Sequence, residues 1–346
     1  MSRLIVDARS LDDRPLTGVG RYTSNLLQSL SSENRQKMYL FIGRRQSVDN
    51  LPPDLQIIRN PYSSKFTILM ALCNIPLLRR FFLSDDVILL PNIDFFPIGE
   101  AFNVNVVIHD LSWMHNRKFF SLKGRFWHNQ KYIYDLLRKA KRIICVSGST
   151  LSELVKYYPL IEVGKCRVLY PGVEVTSEGG TAITNPKDTI VFIGTNESRK
   201  NVASVVAMWS ELHQDLDGYQ LIIAGKRGWG AISANLPRLQ ILDYITDEKR
   251  HELYQRAALF IWPSFYEGFG FPLTEAAHYN IPIITSFTTS MPEIMRLRAY
   301  YCNPWNYGEL TAVVRQLIHK QSSVPVQVDW PIWPKVSKEI VQILGL

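Results

Sequence analysis

Glu267 and Glu275 stand on either side of a glycine-rich turn, with seven residues between them. The apolar run 258–263 precedes the turn and predicts a buried strand, and Pro272 suits the first position of a helix. N–H groups at the start of a helix bind anions and hydroxyl oxygens. Carboxylates beside such amides would suit a polyol that carries a diphosphate. A strand–turn–helix with two solvated glutamates is the alternative interpretation.

This motif resembles the Glu-x7-Glu signature of the retaining glycosyltransferases of family four, which have the GT-B fold. The resemblance implies that Glu267 holds the sugar hydroxyls and stabilises positive charge at the anomeric carbon. It implies that Glu275 binds the ribose hydroxyls of a nucleotide-sugar donor. The amides of Gly268, Phe269 and Gly270 would help to fix the sugar ring.

Two motifs in the first half resemble the same family. The stretch 17–22 places glycines before a predicted helix, a design that binds phosphate through backbone amides. The resemblance puts Gly18 beside the donor diphosphate. The predicted strand 104–109 ends in His109 and Asp110. Such a histidine is by itself more simply a core or capping residue, but the resemblance implies that the His109 imidazole lies near the sugar, where Asp110 could orient it.

The segment 193–201 opens the second half and supplies two cations. Lys200 matches the family lysine that neutralises the diphosphate as the glycosidic bond breaks. Many family members have an arginine directly after the glycine, where this chain has Thr195. Arg199 could replace that cation or could be a solvated arginine, and the sequence leaves both interpretations open. Thr195 and Arg199 are therefore predicted donor-binding positions.

A third strand and glycine-rich turn, at 221–230, resembles the family segment that lies near the nucleoside. Gly225 and Lys226 are predicted to contact the donor there. Asp243 stands where a glycine is more usual, so the loop that contacts the base would differ in shape.

The length of 346 residues suggests two domains. Short apolar runs alternate with helical patterns, which predicts an α/β protein with parallel sheets. The resemblance implies two Rossmann-like, doubly wound domains that face each other across a cleft. They are an acceptor-binding domain at 1–173 and a nucleotide-sugar-binding domain at 187–329, with a final helix at 330–346 that crosses back to the first. The polar stretch 174–181 is interpreted as a linker.

The periodicity predicts individual elements as well. The predicted strands are 4–7, 38–42, 56–58, 87–90, 104–109, 142–146, 166–169, 189–193, 220–224, 259–262 and 282–285. The predicted helices include 20–30, 123–138, 202–212, 247–256, 273–279 and 335–344.

Lysine and arginine number 39 against 31 acidic residues, which gives a formal net charge of +8. Nucleic acid, nucleotide phosphates and anionic lipid head groups all fit this charge. The four cysteines are far apart and form no CxxC motif, which favours reduced thiols in a cytoplasmic protein. The histidines show no metal-ligand spacing, so neither a metal nor a cofactor is expected.

Two stretches could face a membrane or a nucleic acid. The apolar window 66–78 ends in two arginines and two phenylalanines and is shorter than the roughly 20 residues of a spanning helix. A core helix with snorkelling arginines is favoured there, and contact with an anionic membrane surface is the alternative. The stretch 117–128 interleaves cations and aromatics. A helix with an aromatic core face is favoured over a surface for nucleic acid or lipid.

Taken with these observations, the resemblance implies a metal-independent, retaining hexosyltransferase. Its donor would be a UDP- or GDP-linked sugar such as GDP-mannose, and its acceptor a glycan or lipid-linked saccharide in polysaccharide biosynthesis. The expected location is cytoplasmic, peripheral at the inner face of the plasma membrane. The alternatives are a sugar-nucleotide epimerase of GT-B fold and a noncatalytic nucleic-acid-binding protein. The sequence does not identify the sugar, the base, the acceptor or the oligomeric state.

Overall fold

The computed structural model describes residues 3–13, 16–47, 54–97, 102–116, 119, 129–173, 188–320 and 329–346. The chain forms two compact units. The first comprises Met1–Leu111, Phe126–Gly172 and Pro331–Leu346, and the second comprises Ser112–Arg125 and Val173–Trp330. The predicted linker 174–181 and, apart from residue 119, the predicted aromatic stretch 117–128 lie outside the described residues.

The first unit is built on a seven-stranded parallel sheet in the order β3-β2-β1-β4-β5-β6-β7. Its strands are β1 (Leu4–Asp7), β2 (Met38–Ile42), β3 (Gln56–Arg59), β4 (Val87–Leu90), β5 (Asn103–Ile108), β6 (Arg142–Cys145) and β7 (Cys166–Val168). The central strands β1 and β4 are buried along their whole length, as expected of a parallel sheet that is covered on both faces. The strand order reverses between them, and the carboxyl ends of strands at such a point line a ligand-binding crevice.

The second unit contains a six-stranded parallel sheet in the order β10-β9-β8-β11-β12-β13. Its strands are β8 (Thr189–Ile193), β9 (Gln220–Ala224), β10 (Leu239–Leu242), β11 (Ala257–Trp262), β12 (Ile283–Ser286) and β13 (Tyr300–Cys302). Here the order reverses between β8 and β11. Both sheets are doubly wound, so the predicted α/β class is confirmed.

Helices connect these strands throughout. In chain order they are α1 (Gly18–Ser29), α2 (Ser32–Gln36), α3 (Ser64–Leu72), α4 (Ser112–His115), α5 (Gln130–Lys139), α6 (Gly148–Tyr157), α7 (Val202–Leu212), α8 (Asp247–Arg256), α9 (Phe271–His278), α10 (Met291–Met295), α11 (Tyr307–Lys320) and α12 (Trp333–Leu344). None of the helices in the described ranges combines the length and the apolarity needed to cross a bilayer.

Helix α12 packs within the first unit, against α1. Its buried face repeats at helical spacing and includes Trp333, Val336 and Ile340. The hydroxyl of Ser337 donates a hydrogen bond to the carbonyl of Ser29, at 3.0 Å. The last residues of the chain are therefore part of the first unit.

Helix α3 departs from the favoured prediction. Its sequence is apolar all round, but only Thr67 and Ala71 are buried. Phe66 and Leu69 are exposed instead. The interpretation of this segment as a core helix is therefore wrong for most of its side chains.

Candidate active site

Lys200 and Glu267 come together at the point where the second sheet reverses its strand order. Lys200 follows β8, Glu267 follows β11, and these two strands pair in parallel, so their carboxyl ends share one edge of the sheet. The Lys200 Nζ atom lies 2.5 Å from Glu267 Oε1. Both side chains are almost fully buried. Sequence reasoning assigned these two residues separate roles, and the structure places them in contact.

Trp262, the last residue of β11, completes this contact. Its indole N–H donates a hydrogen bond to the same Glu267 Oε1, at 3.0 Å. The Lys200 ammonium also lies over the Trp262 ring, 4.8 Å from the ring centroid, in a cation–π contact. The sequence analysis missed Trp262 as a site residue because an aromatic residue at the end of a buried strand has the pattern of ordinary core.

Arg199 belongs to the same cluster. One of its terminal nitrogens lies 3.5 Å from Glu267 Oε2 and also donates to the Tyr266 carbonyl, at 2.9 Å. The other terminal nitrogen pairs with Glu197 Oε1, at 2.9 Å. Of the two interpretations left open by the sequence, the solvated arginine is wrong, since Arg199 is mostly buried among these partners.

The electrostatics of the cluster keep Glu267 ionised. Burial raises the pKa of this carboxyl, but the attraction of Lys200 and Arg199 outweighs burial and holds the pKa below its ordinary value. Burial, together with Arg199, lowers the pKa of Lys200, and Glu267 and Glu197 offset only part of that effect. Such a buried ion pair contributes little net stability compared with an apolar pair of the same size.

Two glycines of the second unit are packed too closely to carry a side chain. A Cβ atom on Gly194 would lie 2.2 Å from the Trp262 ring, so only glycine fits there. Gly225 has a φ of +145°, and a Cβ on it would lie 2.1 Å from the Gly194 carbonyl oxygen. Gly225, a predicted donor-binding residue, therefore has a packing role in this unit.

The loops after β8 and β9 are joined by backbone hydrogen bonds. The N–H of Asn196 donates to the Lys226 carbonyl at 2.9 Å, and the N–H of Gly228 donates back to Asn196 at 2.8 Å. A Cβ on Gly228 would lie 2.8 Å from Thr195 Cγ2, which places Thr195 in this contact. The side chain of Lys226 is exposed. Thr195 and Lys226 thus lie in two loops that are hydrogen-bonded to each other, next to the segment that carries Lys200.

The turn 268–270 is held by the loop that follows β12. The N–H of Glu267 donates to Thr289 Oγ1 at 3.0 Å, and Ser290 Oγ donates to the Glu267 carbonyl at 3.0 Å and to the Phe269 carbonyl at 3.4 Å. Gly268, Phe269 and Gly270 are buried, and Gly270 precedes α9 with a φ of +93°. The sequence analysis missed Thr289 and Ser290. A run of hydroxyl residues after a strand next to β11 is the signal that could have found them.

Glu275 has partners of its own on α8. The Tyr254 hydroxyl donates to Glu275 Oε2 at 2.9 Å, and Arg250 Nε lies 3.7 Å from the same oxygen. About a quarter of the Glu275 side chain is exposed. The two glutamates of the motif are therefore held by different sets of side chains.

His109 lies in the first unit, directly after β5. Its Nε2 hydrogen-bonds to the Pro91 carbonyl at 2.7 Å, and its ring contacts Tyr22 edge-on with centroids 4.8 Å apart. Burial lowers the pKa of His109, and the Pro91 carbonyl and Asp110 offset only part of that effect. A neutral imidazole that donates from Nε2 has Nδ1 as its acceptor.

Gly18 is the first residue of α1, so the helix begins earlier than the predicted 20–30. Thr17 caps it by accepting a hydrogen bond from the Gly20 N–H, at 3.2 Å. Gly18 is exposed, and a Cβ there would meet no atom within 4 Å. The packing of the chain does not require a glycine at this position.

A second ion cluster stands where the first sheet reverses its order. Arg9 forms two hydrogen bonds to the Asp7 carboxylate, at 2.9 and 2.6 Å, and lies 3.4 Å from Asp94 Oδ2. Its guanidinium packs over Phe41 and Phe96. In both units, the described residues hold no group of three or more His, Cys, Asp or Glu side chains that could bind a metal ion.

Comparison with known proteins identifies a family for part of the chain. The family model described as "Glycosyl transferases group 1" matches residues 177–328. The chain carries a group 1 glycosyltransferase domain. Lys200, Glu267 and Glu275 all fall within the matched span. The predicted group 1 glycosyltransferase is confirmed for this span, and the predicted enzyme class, a glycosyltransferase, is confirmed as well.

Two curated relatives of this glycosyltransferase are proteins of Escherichia coli. The chain is 25% identical over 341 residues to O-antigen chain mannosyltransferase B, and the alignment covers 89% of this chain and 88% of the relative. It is 27% identical over 271 residues to the serotype-specific mannosyltransferase WbdA. That second alignment covers 69% of this chain but only 33% of WbdA.

Solved structures confirm the GT-B fold of the glycosyltransferase. The structure of Anabaena HepE in complex with UDP and glucose has a TM-score of 0.71 at 12% identity. The match covers 100% of this chain and 99% of HepE. WaaG, a glycosyltransferase involved in lipopolysaccharide biosynthesis, has a TM-score of 0.67 at 13% identity, with 98% of this chain and 95% of that chain covered.

Proposed function

We propose that this glycosyltransferase moves a mannosyl residue from a nucleotide-diphosphate sugar to a saccharide acceptor in the assembly of an O-antigen type of polysaccharide. The names of its curated relatives support mannose and this kind of product. The observation that carries the proposal is the buried Lys200–Glu267 contact at the switch point of the group 1 domain. The acceptor is a glycan or lipid-linked saccharide, presented at an anionic membrane surface. The cytoplasmic location stays a prediction.

In the proposed reaction, Glu267 acts on the sugar. Its Oε1 already accepts from Lys200 and Trp262, which fixes the carboxylate. An ionised carboxylate has about four lone-pair sites, so Oε2 can also accept a hydrogen bond from a sugar hydroxyl. Its negative charge would stabilise the positive charge that develops at the anomeric carbon.

Lys200 and Arg199 act on the leaving group. The ammonium of Lys200 has three N–H donors, so contact with a diphosphate oxygen can coexist with its bond to Glu267. The bond between the anomeric carbon and the diphosphate oxygen breaks, and the acceptor oxygen bonds to the same face of the sugar. The acceptor proton passes to the departing diphosphate, and configuration is retained. Because the two cations supply the positive charge, the proposed transfer needs no metal ion.

For the remaining predicted residues we propose binding roles. Glu275 would hold the ribose, and Gly18 would let the diphosphate approach the backbone. His109 would accept a hydrogen bond from a sugar hydroxyl through Nδ1. Thr195 and Lys226 would contact the nucleotide from the two hydrogen-bonded loops after β8 and β9.

The test incubates the purified chain with GDP-mannose or UDP-glucose, each with and without a mannose-containing acceptor. Mass spectrometry and NMR should show one added mannose with the anomeric configuration of the donor, and added chelator should leave the rate unchanged. Inverted product or a strict need for divalent ion would contradict the mechanism. An epimer formed from donor alone would favour the epimerase. A thermal shift with GDP or UDP would identify the base by mass action.

A further inference from the structure

An exposed apolar surface covers α3 and the turn that follows it, within the segment Ser64–Leu83 (the α3 surface). Four large apolar side chains stand out from it: Phe66 is 41% exposed, Leu69 51%, Ile75 46% and Leu83 54%. Large exposed apolar patches on soluble proteins usually mark a surface that binds a partner.

Hydrogen bonds attach α3 and the turn that follows it to the rest of the unit. Thr67 is buried, and its hydroxyl accepts from Asn60 Nδ2 at 3.0 Å and donates to the Ser63 carbonyl at 3.1 Å. In the following turn, Lys139 Nζ donates to Asn74 Oδ1 at 2.6 Å. Within Ser64–Leu83, Ala71, Leu78 and Phe82 are buried, whereas the other apolar side chains of α3 are half-buried or exposed.

The charge of the α3 surface has one sign. Lys65, Arg79 and Arg80 are exposed, and no aspartate or glutamate occurs between Ser64 and Leu83. Cations beside exposed apolar side chains complement the anionic head groups and the acyl region of a lipid bilayer.

Aromatic rings border the same surface. Tyr62 contacts Phe66 and Phe81, with ring centroids 5.6 and 6.5 Å apart. The Arg80 guanidinium lies over the Tyr62 ring, 5.3 Å from its centroid, and hydrogen-bonds to its hydroxyl. Tyrosine and arginine at the edge of an apolar patch suit the boundary between head groups and acyl chains.

We propose that the α3 surface docks this glycosyltransferase on a membrane of anionic phospholipids. The inference rests on the proposed function, because a lipid-linked acceptor is held in such a membrane. A second copy of the chain is a poorer occupant, since a two-fold interface through this surface would bring Lys65, Arg79 and Arg80 of both copies together with no acidic partner from the segment.

The test measures flotation with vesicles of phosphatidylcholine alone and of phosphatidylcholine with phosphatidylglycerol. Wild type should bind the mixed vesicles, and binding should weaken with salt. Arg79→Gln with Arg80→Gln should weaken it about 25-fold, because each cation near such a surface contributes about fivefold. Leu69→Gln should weaken it as well.

Matched controls separate this surface from total charge and hydrophobicity. Arg44→Gln with Arg45→Gln removes the same two charges from an exposed arginine pair elsewhere in the first unit. Leu160→Gln changes a leucine that is 79% exposed. Both controls should bind like wild type. Equal loss in the controls, no binding by wild type, or a dimer in light scattering that Leu69→Gln dissociates would overturn the proposal.

The outcomes for membrane docking and for catalysis can be told apart. Each variant is also assayed for mannosyl transfer to a water-soluble saccharide, which needs no membrane. Normal transfer with lost vesicle binding supports the α3 surface as a docking surface separate from the active site. If the wild-type chain binds vesicles but transfers mannose to no acceptor, the proposed function is wrong and the proposed docking surface is still supported.

Discussion

The indole of Trp333 packs edge-on against the phenol ring of Tyr22, with centroids 5.2 Å apart. Tyr22 is fully buried, and its other neighbour is the His109 ring. Three aromatic rings thus run from the last helix, through α1, to the end of β5. Packing through Tyr22 therefore links His109 to a residue more than two hundred positions further along the chain.

Replacement of Trp333 by alanine should destabilise the first unit. Removal of a buried tryptophan typically costs about 3–5 kcal/mol, because contacts are lost and a cavity remains. Urea unfolding followed by circular dichroism measures the change. Trp305→Ala is the control, since Trp305 is mostly exposed and its loss should cost far less. Equal stability losses would show that Trp333 is not a core residue.

Lys200→Met should lower kcat by roughly a hundredfold. The variant keeps a long side chain over Trp262 but removes the cation proposed to meet the diphosphate, which is worth about 3 kcal/mol. Steady-state rates of mannosyl transfer measure the effect. Lys338→Met, on the exposed side of α12, should leave kcat unchanged. A Lys200→Met variant that folds and retains wild-type turnover would remove Lys200 from the mechanism.

Glu275→Gln should raise KM for the donor and change kcat much less. A hydrogen bond from a ribose hydroxyl to a charged carboxylate is worth about 1.5–3 kcal/mol, so a rise of roughly tenfold or more is expected. Tyr254→Phe, which removes the donor to Glu275 Oε2, should shift KM in the same direction by less. If kcat fell and KM did not move, Glu275 would have a role in the chemical step instead.

Stability should fall in acid partly because of Glu267. Burial raises its pKa, yet Lys200 and Arg199 hold it below the ordinary value of 4.5 in the folded state. The unfolded chain therefore binds more protons just below pH 4.5. The stabilisation is present above that pH and is lost as pH falls through the folded-state pKa.

Glu267→Gln removes this titration. Its Tm should be lower than that of wild type at neutral pH and should fall less between about pH 6 and pH 3. Differential scanning fluorimetry across this range measures both trends. Glu33→Gln, at a mostly exposed glutamate, should keep the wild-type pH profile. Parallel curves for wild type and Glu267→Gln would mean that Glu267 is not ionised through its contact with Lys200.

The sequence was most informative where local pattern and tertiary structure agree. The apolar runs at 4–7, 87–90 and 220–224 are strands because central parallel strands are buried on both faces. The strands β10 and β13 were missed because both lie at edges of the second sheet, where half-exposed side chains weaken the apolar pattern.

Contacts between distant residues could not be read from spacing. Lys200 and Glu267 meet because β8 and β11 are neighbours in the sheet, although strands β9 and β10 and helices α7 and α8 lie between them along the chain. The Arg199 side chain points toward Glu267 for the same reason, because β8 and β11 are adjacent. For α3, apolar composition predicts burial, and only the structure shows which of its apolar side chains are exposed.

The return of α12 to the first unit makes the larger segment of the second unit, Val173–Trp330, an insertion within the sequence of the first. The chain leaves the first unit after Gly172 and returns to it at Pro331, and the shorter segment Ser112–Arg125 also belongs to the second unit. These two ends are neighbours, since a Cβ on Gly172 would lie 2.5 Å from the Trp333 nitrogen. A gene that joins residue 172 to residue 331 through a few small residues should therefore encode the first unit with its final helix, together with the short stretch 112–125, whereas a chain that ends at residue 172 would lack that helix.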